Sequence, residues 1–143
     1  MIAIERVITV DKPIGAVFSY LTDFENTNEW DPGTVRTTRT AGDGGIGTKY
    51  HNTSSFAGRE TELEYTVEDL QPEKRFRLRG ENKSLTSYDT MTFRALGSGT
   101  EVTYRAEFDF QGIARLAAPL LKGQFKRLGD NAEQGMREQL QKL

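Results

Sequence analysis

The stretch PLLKGQFKRLGDNAEQGMREQLQKL, residues 119–143, decides how the rest of the chain must be arranged. Leu121, Phe125, Leu128, Ala132, Met136 and Leu143 recur at steps that sum to helical periodicity, while Lys122, Lys126, Arg127, Asp130 and Glu138 stay off that stripe. The spacing predicts an amphipathic helix with one apolar face laid on a sheet. Gly129 and Gly135 sit at or beside the stripe. Glycine inside a helix costs about 1 kcal/mol against alanine, which close backbone approach or room for a ligand would offset. Gln124 and Asn131 flank the stripe as uncharged polar groups placed to reach such a ligand. Pro119 removes a helical hydrogen bond, so a kink or a fresh start is expected there, after a preliminary turn over Ile113 to Ala118.

Working back toward the N-terminus, the pattern is β. Val102, Tyr104, Ala106, Phe108 and Phe110 alternate with polar residues, and the Gly97-Ser98-Gly99 turn joins them to Leu85, Met91 and Phe93. The turn sets Phe93 opposite Val102, Met91 opposite Tyr104, and Arg94 opposite Glu101 on the outer face. The same parity points Ser87 and Asp89 inward. Upstream, Leu63, Tyr65 and Val67 alternate with Glu62, Glu64 and Glu68, and Phe76 and Leu78 with Arg75, Arg77 and Arg79, across Gln71-Pro72-Glu73. A turn centred between Gln71 and Pro72 places Glu64 against Arg79 and Glu68 against Arg75, a favourable solvated face. Ile46 to Ser55 and Thr34 to Thr40 predict two weaker strands, with Ile46, Thr48 and Tyr50 inward and a glycine loop between the strands.

Ile2, Ile4, Ile8 and Val10 predict a first strand, with Arg6 on the apolar parity. Asp11 as a cap and Pro13 with its preset φ predict a short helix over Ile14 to Leu21. A second helical turn from Asp23 to Asn28 leads to Trp30 and the turn Asp31-Pro32-Gly33. The order is one strand, two short helices, about six strands and one long helix. No repeat or linker divides it, so residues 1–143 are expected to form a single α+β domain able to bury roughly 70% of its unfolded surface.

A net charge of −2 with no basic cluster argues against nucleic acid as a partner. The absence of cysteine excludes disulfides, thiolate metal sites and a cysteine nucleophile. No apolar run approaches the ~20 residues that span a bilayer, and Glu5 and Arg6 interrupt the N-terminal apolar residues, so no integral membrane contact and a cytoplasmic location are expected.

His51 is the single histidine, so a Ser-His-Asp arrangement or a His-rich zinc site would have to run through it. Its parity, opposite to that of Tyr50, places it on the surface. Gly42 to Gly47 precedes a strand and offers no helix N-terminus to a phosphate. No metal and no cofactor are expected. Unless a bulge flips it outward, Asp89 is the one residue whose register demands chemistry: a carboxylate among Met91, Phe93 and Phe108 must be hydrogen-bonded, paired with a group such as Arg6, protonated, or beside a water-filled cavity. It is the candidate acid/base residue.

This layout, with Trp30 after the short helices, the glycine-rich approach Gly42 to Gly47, the Gln71-Pro72 hairpin, the Gly97 to Thr100 turn and the proline-bearing C-terminal helix, resembles the START-like (SRPBCC) helix-grip superfamily and its polyketide cyclase/dehydrase family. The resemblance implies a curved antiparallel sheet of six to seven strands gripping the long helix, with an apolar cavity between them for a lipid, polyketide or other aromatic ligand. It assigns Trp30, Tyr50, Tyr65 and Tyr104, with Met91, Phe108, Phe125, Leu128 and Asn131, to the ligand-binding lining; the same aromatics serve equally well as core. Three functions are then open: a binder of a small hydrophobic molecule, a cyclase/dehydrase using Asp89 with Tyr65 or Tyr104, and an interaction module docking a partner or second copy through Ile113 to Leu121. Beyond Arg6 no arginine has inward parity, which weighs against catalysis. Monomer and homodimer both remain open.

Overall fold

A computed structural model describes residues 1–143. Strand β1, Ile2–Val10, opens the chain and buries Ile4, Ile8 and Val10. Helix α1, Ile14–Thr22, follows, then a 3₁₀ turn over Phe24–Asn26 and the single-turn helix α2, Thr27–Trp30. Six strands come next: β2 Thr34–Ala41, β3 Lys49–Phe56, β4 Arg59–Gln71, β5 Arg75–Glu81, β6 Leu85–Leu96 and β7 Gly99–Phe110. The helical C-terminal segment is built in three pieces: α3 Ala114–Ala117, a 3₁₀ turn Ala118–Leu121, and α4 Lys122–Leu140. Pro119 lies in the 3₁₀ turn, and the long helix starts afresh three residues beyond it, as a proline's missing N–H requires.

All seven strands form one antiparallel sheet in the order β1-β7-β6-β5-β4-β3-β2. Every sequential neighbour from β2 to β7 is joined by a hairpin, and β1 closes on β7. One face of this sheet carries the core, from Ile8 through Val102, Met91, Leu78 and Val67 to Tyr50. Helix α4 packs against β1 at one edge and against α2. Phe125, Ala132, Met136 and Leu140 form its buried stripe. Leu140, fully buried, takes the place expected for Leu143, which lies beyond the helix and is exposed.

The β6–β7 register is the predicted one, with Phe93 opposite Val102, Met91 opposite Tyr104, and Arg94 opposite Glu101 in a 3.1 Å ion pair. The β4–β5 register is not. Gln71 pairs with Arg75 around a three-residue loop in which Glu73 takes a positive φ of 59°, and a bulge follows at Glu68. Glu64 therefore faces Glu81 rather than Arg79. Cations from elsewhere relieve that like-charge opposition: Lys49 of β3 reaches Glu64 at 3.1 Å, and Arg79 reaches Glu81 at 3.5 Å. Arg75 pairs with Asp69 at 3.2 Å, and Arg77 with Glu68 at 3.7 Å, so the hairpin keeps its charge complementarity in a shifted frame.

Two further expectations fail locally. Ile46 is exposed in the loop before β3, because Gly47, with a φ of 90°, turns the chain before the strand begins at Lys49. Asp11 does not cap α1; its carboxylate accepts a 3.2 Å hydrogen bond from Ser98, and Pro13 stands at the cap position with no side-chain bond.

Candidate functional site

Helix and sheet do not touch everywhere. Because α4 is seated on β1 and α2, its first turns stand clear of β4 to β6, and a cavity of about 690 Å³ opens between helix and sheet. Leu63, Phe108, Phe125 and Leu128 form its apolar walls. The ring of Phe125 lies 4.6 Å from Phe56, 4.8 Å from Phe108 and 5.9 Å from Phe110, so one side of the cavity is continuous aromatic surface. Arg59, Glu62, Asn82 and Lys83, all exposed, stand at the mouth between the β3–β4 and β5–β6 turns.

At the deep end the lining turns polar. Asp89 of β6 is 6% exposed and sits between Leu78 of β5 and Ala106 of β7, neither of which offers it a hydrogen bond. Burial, and secondarily the nearby carboxyl of Asp31, push Asp89 up to about 7. Asp31 is itself raised by burial, though the N–H of Gly33 and the hydroxyl of Thr34, both at 3.0 Å, hold its charged form. Burial, then the adjacent Asp89, keeps the phenols of Tyr65 and Tyr104 well above their ordinary range, so both remain donors. The indole N–H of Trp30, in the cavity wall, is buried without any partner. An unpartnered buried polar group is rare and costs about 1–3 kcal/mol, so the Trp30 N–H and the Asp89 carboxyl, both lining one cavity without a hydrogen-bond partner, are the site's chemical signature.

Trp30, Tyr65, Tyr104, Phe108, Phe125, Leu128 and Asp89 all line this cavity. Three residues expected in the lining do not. Tyr50 points inward but packs behind the wall, edge-on to Phe24 at 5.5 Å. Met91 is fully buried between Phe76 and Tyr104, because its register places it deeper under α1 than the cavity reaches. Asn131 is exposed and lines, with Gln124 and Arg127, an adjoining recess of about 370 Å³ that shares Asp31, Phe56, Ala57 and Leu128 with the cavity. Arg6 is not the partner of Asp89; it bonds Asp130 at 2.8 Å across the β1–α4 contact. His51 is exposed and 3.0 Å from Glu62, as its parity predicts. Phe24, Leu63 and Asp31 line the cavity as well, beyond the residues expected there. For Leu63 the inward parity was the available signal, whereas Asp31 reads as an ordinary turn former.

Gly80 explains how the Tyr65 ring comes to lie flat enough to leave the cavity open. The two residues are cross-strand partners, and a Cβ at Gly80 would come within 2.7–2.9 Å of the Tyr65 ring. Gly80→Val is therefore expected to push that ring toward the cavity and to cost about 1–3 kcal/mol by overpacking. Urea denaturation measures the loss, and an unchanged midpoint would show that the ring has room elsewhere.

A seven-stranded antiparallel sheet gripping a long C-terminal helix over a cavity defines a helix-grip protein. The family model for polyketide cyclase/dehydrase and lipid transport proteins matches residues 1–143, and the chain belongs to that family. Solved structures share the fold at low identity. The Zhui aromatase/cyclase of a Streptomyces species superposes with a TM-score of 0.82 at 14% identity, over 96% of this chain and 92% of that one. A Thermus thermophilus protein gives 0.79 at 17% identity, over 96% and 95%. A START superfamily protein of Mycobacterium smegmatis gives 0.67 at 14% identity, over 92% and 97%. No curated protein sequence matches the chain. None of the helices is long and apolar enough to cross a membrane.

Proposed function

We propose that the protein binds a small, largely apolar molecule, aromatic in part, that carries a hydroxyl or keto group at its buried end. The observation that supports this is the pairing of a roughly 690 Å³ apolar-walled cavity with two unpartnered polar groups in its lining, the Asp89 carboxyl and Trp30 Nε1. A cavity of this size suits a ligand of two to four fused rings or an acyl chain, and the buried polar end supplies orientation. A protonated Asp89 donates to a keto oxygen; an ionised one accepts from a hydroxyl.

Trp30 is the sole tryptophan and lies in the wall, so its fluorescence reports occupancy directly. Titration with 2-naphthol is expected to quench it saturably at one site. Naphthalene, lacking the hydroxyl, is expected to bind about tenfold more weakly, the worth of one buried hydrogen bond to a charged or polarised partner. In Asp89→Leu that preference should vanish. No saturable quenching by either compound, or equal affinity in the wild type, would remove the proposal.

The cyclase/dehydrase reading stays beside it because of one specific feature. A carboxyl pushed up to about 7 by burial, with two protonated phenols around it, is poised to take a proton from a carbon acid and return it to a leaving hydroxyl. General acid/base groups contribute typically 10²–10⁴-fold, so with a β-polyketone substrate Asp89→Asn should lower turnover by that range, and unchanged turnover would leave only the binding role.

A further inference from the structure

Ile113, Leu116 and Leu120 are 87%, 79% and 82% exposed, the most exposed large aliphatic side chains in the molecule. They lie at i, i+3 and i+7 through α3 and the 3₁₀ turn, so all three project from one side of the helical segment. Ala118, buried, holds the opposite side to the body of the protein, and Ala114 and Leu121 of the same segment line the cavity beside its mouth. A protruding aliphatic ridge at the rim of a cavity is an unpartnered face, and its charge surroundings select the partner.

From Gln111 to Gly129 the chain carries four cations, Arg115, Lys122, Lys126 and Arg127, and no carboxylate, although the protein as a whole has a net charge of −2. Lys126 is paired with Asp130 at 2.9 Å; Arg115, Lys122 and Arg127 form no ion pair. Arg59 and Lys83, across the mouth, are likewise free. The carboxylates of that rim are Glu60 and Glu62, and Glu62 is turned to His51 at 3.0 Å. A second copy of the chain fits poorly, because a two-fold interface centred on the ridge would bring Arg115 and Lys122 against their own counterparts with no acid in the segment to neutralise them. An anionic lipid surface satisfies both features: the aliphatic side chains enter the acyl boundary and the cations meet the headgroups.

We infer that the Ile113–Lys122 segment seats the protein reversibly on an anionic bilayer surface, with the cavity mouth turned toward the lipid. That a cavity ligand would exchange with the bilayer rests on the proposed binding function; the seating itself does not, and it can be measured with the cavity empty. Three aliphatic side chains and a few cations give marginal, salt-sensitive binding rather than anchoring.

The test is flotation of the full chain with vesicles of phosphatidylcholine alone and of phosphatidylcholine mixed with phosphatidylglycerol. Binding is expected to the mixed vesicles only, and to fall as salt is raised. Arg115→Gln/Lys122→Gln should weaken it roughly thirtyfold, from about 1 kcal/mol for each cation near the surface. Leu116→Ser/Leu120→Ser should abolish it, and both variants change only exposed side chains, so their circular dichroism and 2-naphthol titration should match the wild type. Failure to float with either vesicle, binding that neither double variant alters, or a concentration-dependent dimer that Leu116→Ser/Leu120→Ser dissolves would each overturn the proposal.

Discussion

Asp89→Asn is expected to be more stable than the wild type above neutral pH, by about 2–4 kcal/mol, and to lose that advantage in acid. The sign follows from proton counts. The carboxyl titrates at about 7 in the folded protein against an ordinary value of 3.8, so between those two pH values the folded state holds a proton that the unfolded state has released. Stability therefore falls as pH rises from about 4 to about 7 and is flat beyond, a total of about 4 kcal/mol at 1.36 kcal/mol per pH unit. Asparagine removes the ionisation but remains a buried polar group without a partner, which returns part of the gain. Urea unfolding of both proteins at pH 4.5 and pH 8.5 measures the difference, and subtraction cancels the opposing contribution of groups such as Asp130, which Lys126 and Arg6 hold below the usual carboxylate range. A difference that does not change with pH would mean that Asp89 reaches water or a counter-charge. A residue that destabilises its own fold under ordinary conditions is the pattern expected of a functional group, and the same variant reports on binding and on turnover.

Gly135→Ala is expected to cost about 3 kcal/mol, lowering the midpoint of thermal unfolding by roughly 10 °C, even though alanine is the better helix former by about 1 kcal/mol. A Cβ at Gly135 would drive into the backbone carbonyl oxygen of Trp30 and meet Pro32 Cδ at 3.2 Å. A backbone carbonyl cannot swing aside as a flexible side chain can, so α4 would have to move away from α2. Gly129 differs: its nearest neighbour is the flexible guanidinium of Arg6 at 2.8 Å. Gly123, on the same helix, has nothing within 4 Å, and Gly123→Ala should be neutral to stabilising by up to about 1 kcal/mol. Opposite signs for the two alanine variants in one calorimetric comparison would establish that the α2–α4 contact, and not helix propensity, sets the position of the helix. Because Trp30 is also a wall of the cavity, the Gly135 variant should alter its fluorescence as well.

Much of this architecture was legible in residue order. Alternation along Val102 to Phe110 and the short Gly97-Ser98-Gly99 turn determine a register in which Asp89 must face inward, and period-two geometry leaves no other outcome without a bulge. The apolar stripe from Leu121 to Met136 likewise determines the buried face of α4, and Pro119 its fresh start. Parity alone sent His51 outward and Tyr65 and Tyr104 inward. The β4–β5 frame was not legible, since a positive φ at Glu73 and a bulge at Glu68 are local choices that no side-chain pattern announces.

Inward parity says that a residue meets the core side of the sheet; whether it meets protein or empty space depends on how far α4 stands off. That distance is set by contacts remote in sequence, with Gly135 lodged against the Trp30 backbone and Arg6 tied to Asp130. Met91 and Asp89 share one strand face two residues apart, yet one is packed under α1 and the other looks into the cavity. The amino-acid order by itself determined most of the strands, the buried face of α4 and the inward direction of Tyr65, Asp89 and Tyr104, because those follow from periods of two and 3.6. Only the tertiary structure decided which of them border a cavity, because empty space is what remains after distant surfaces have packed.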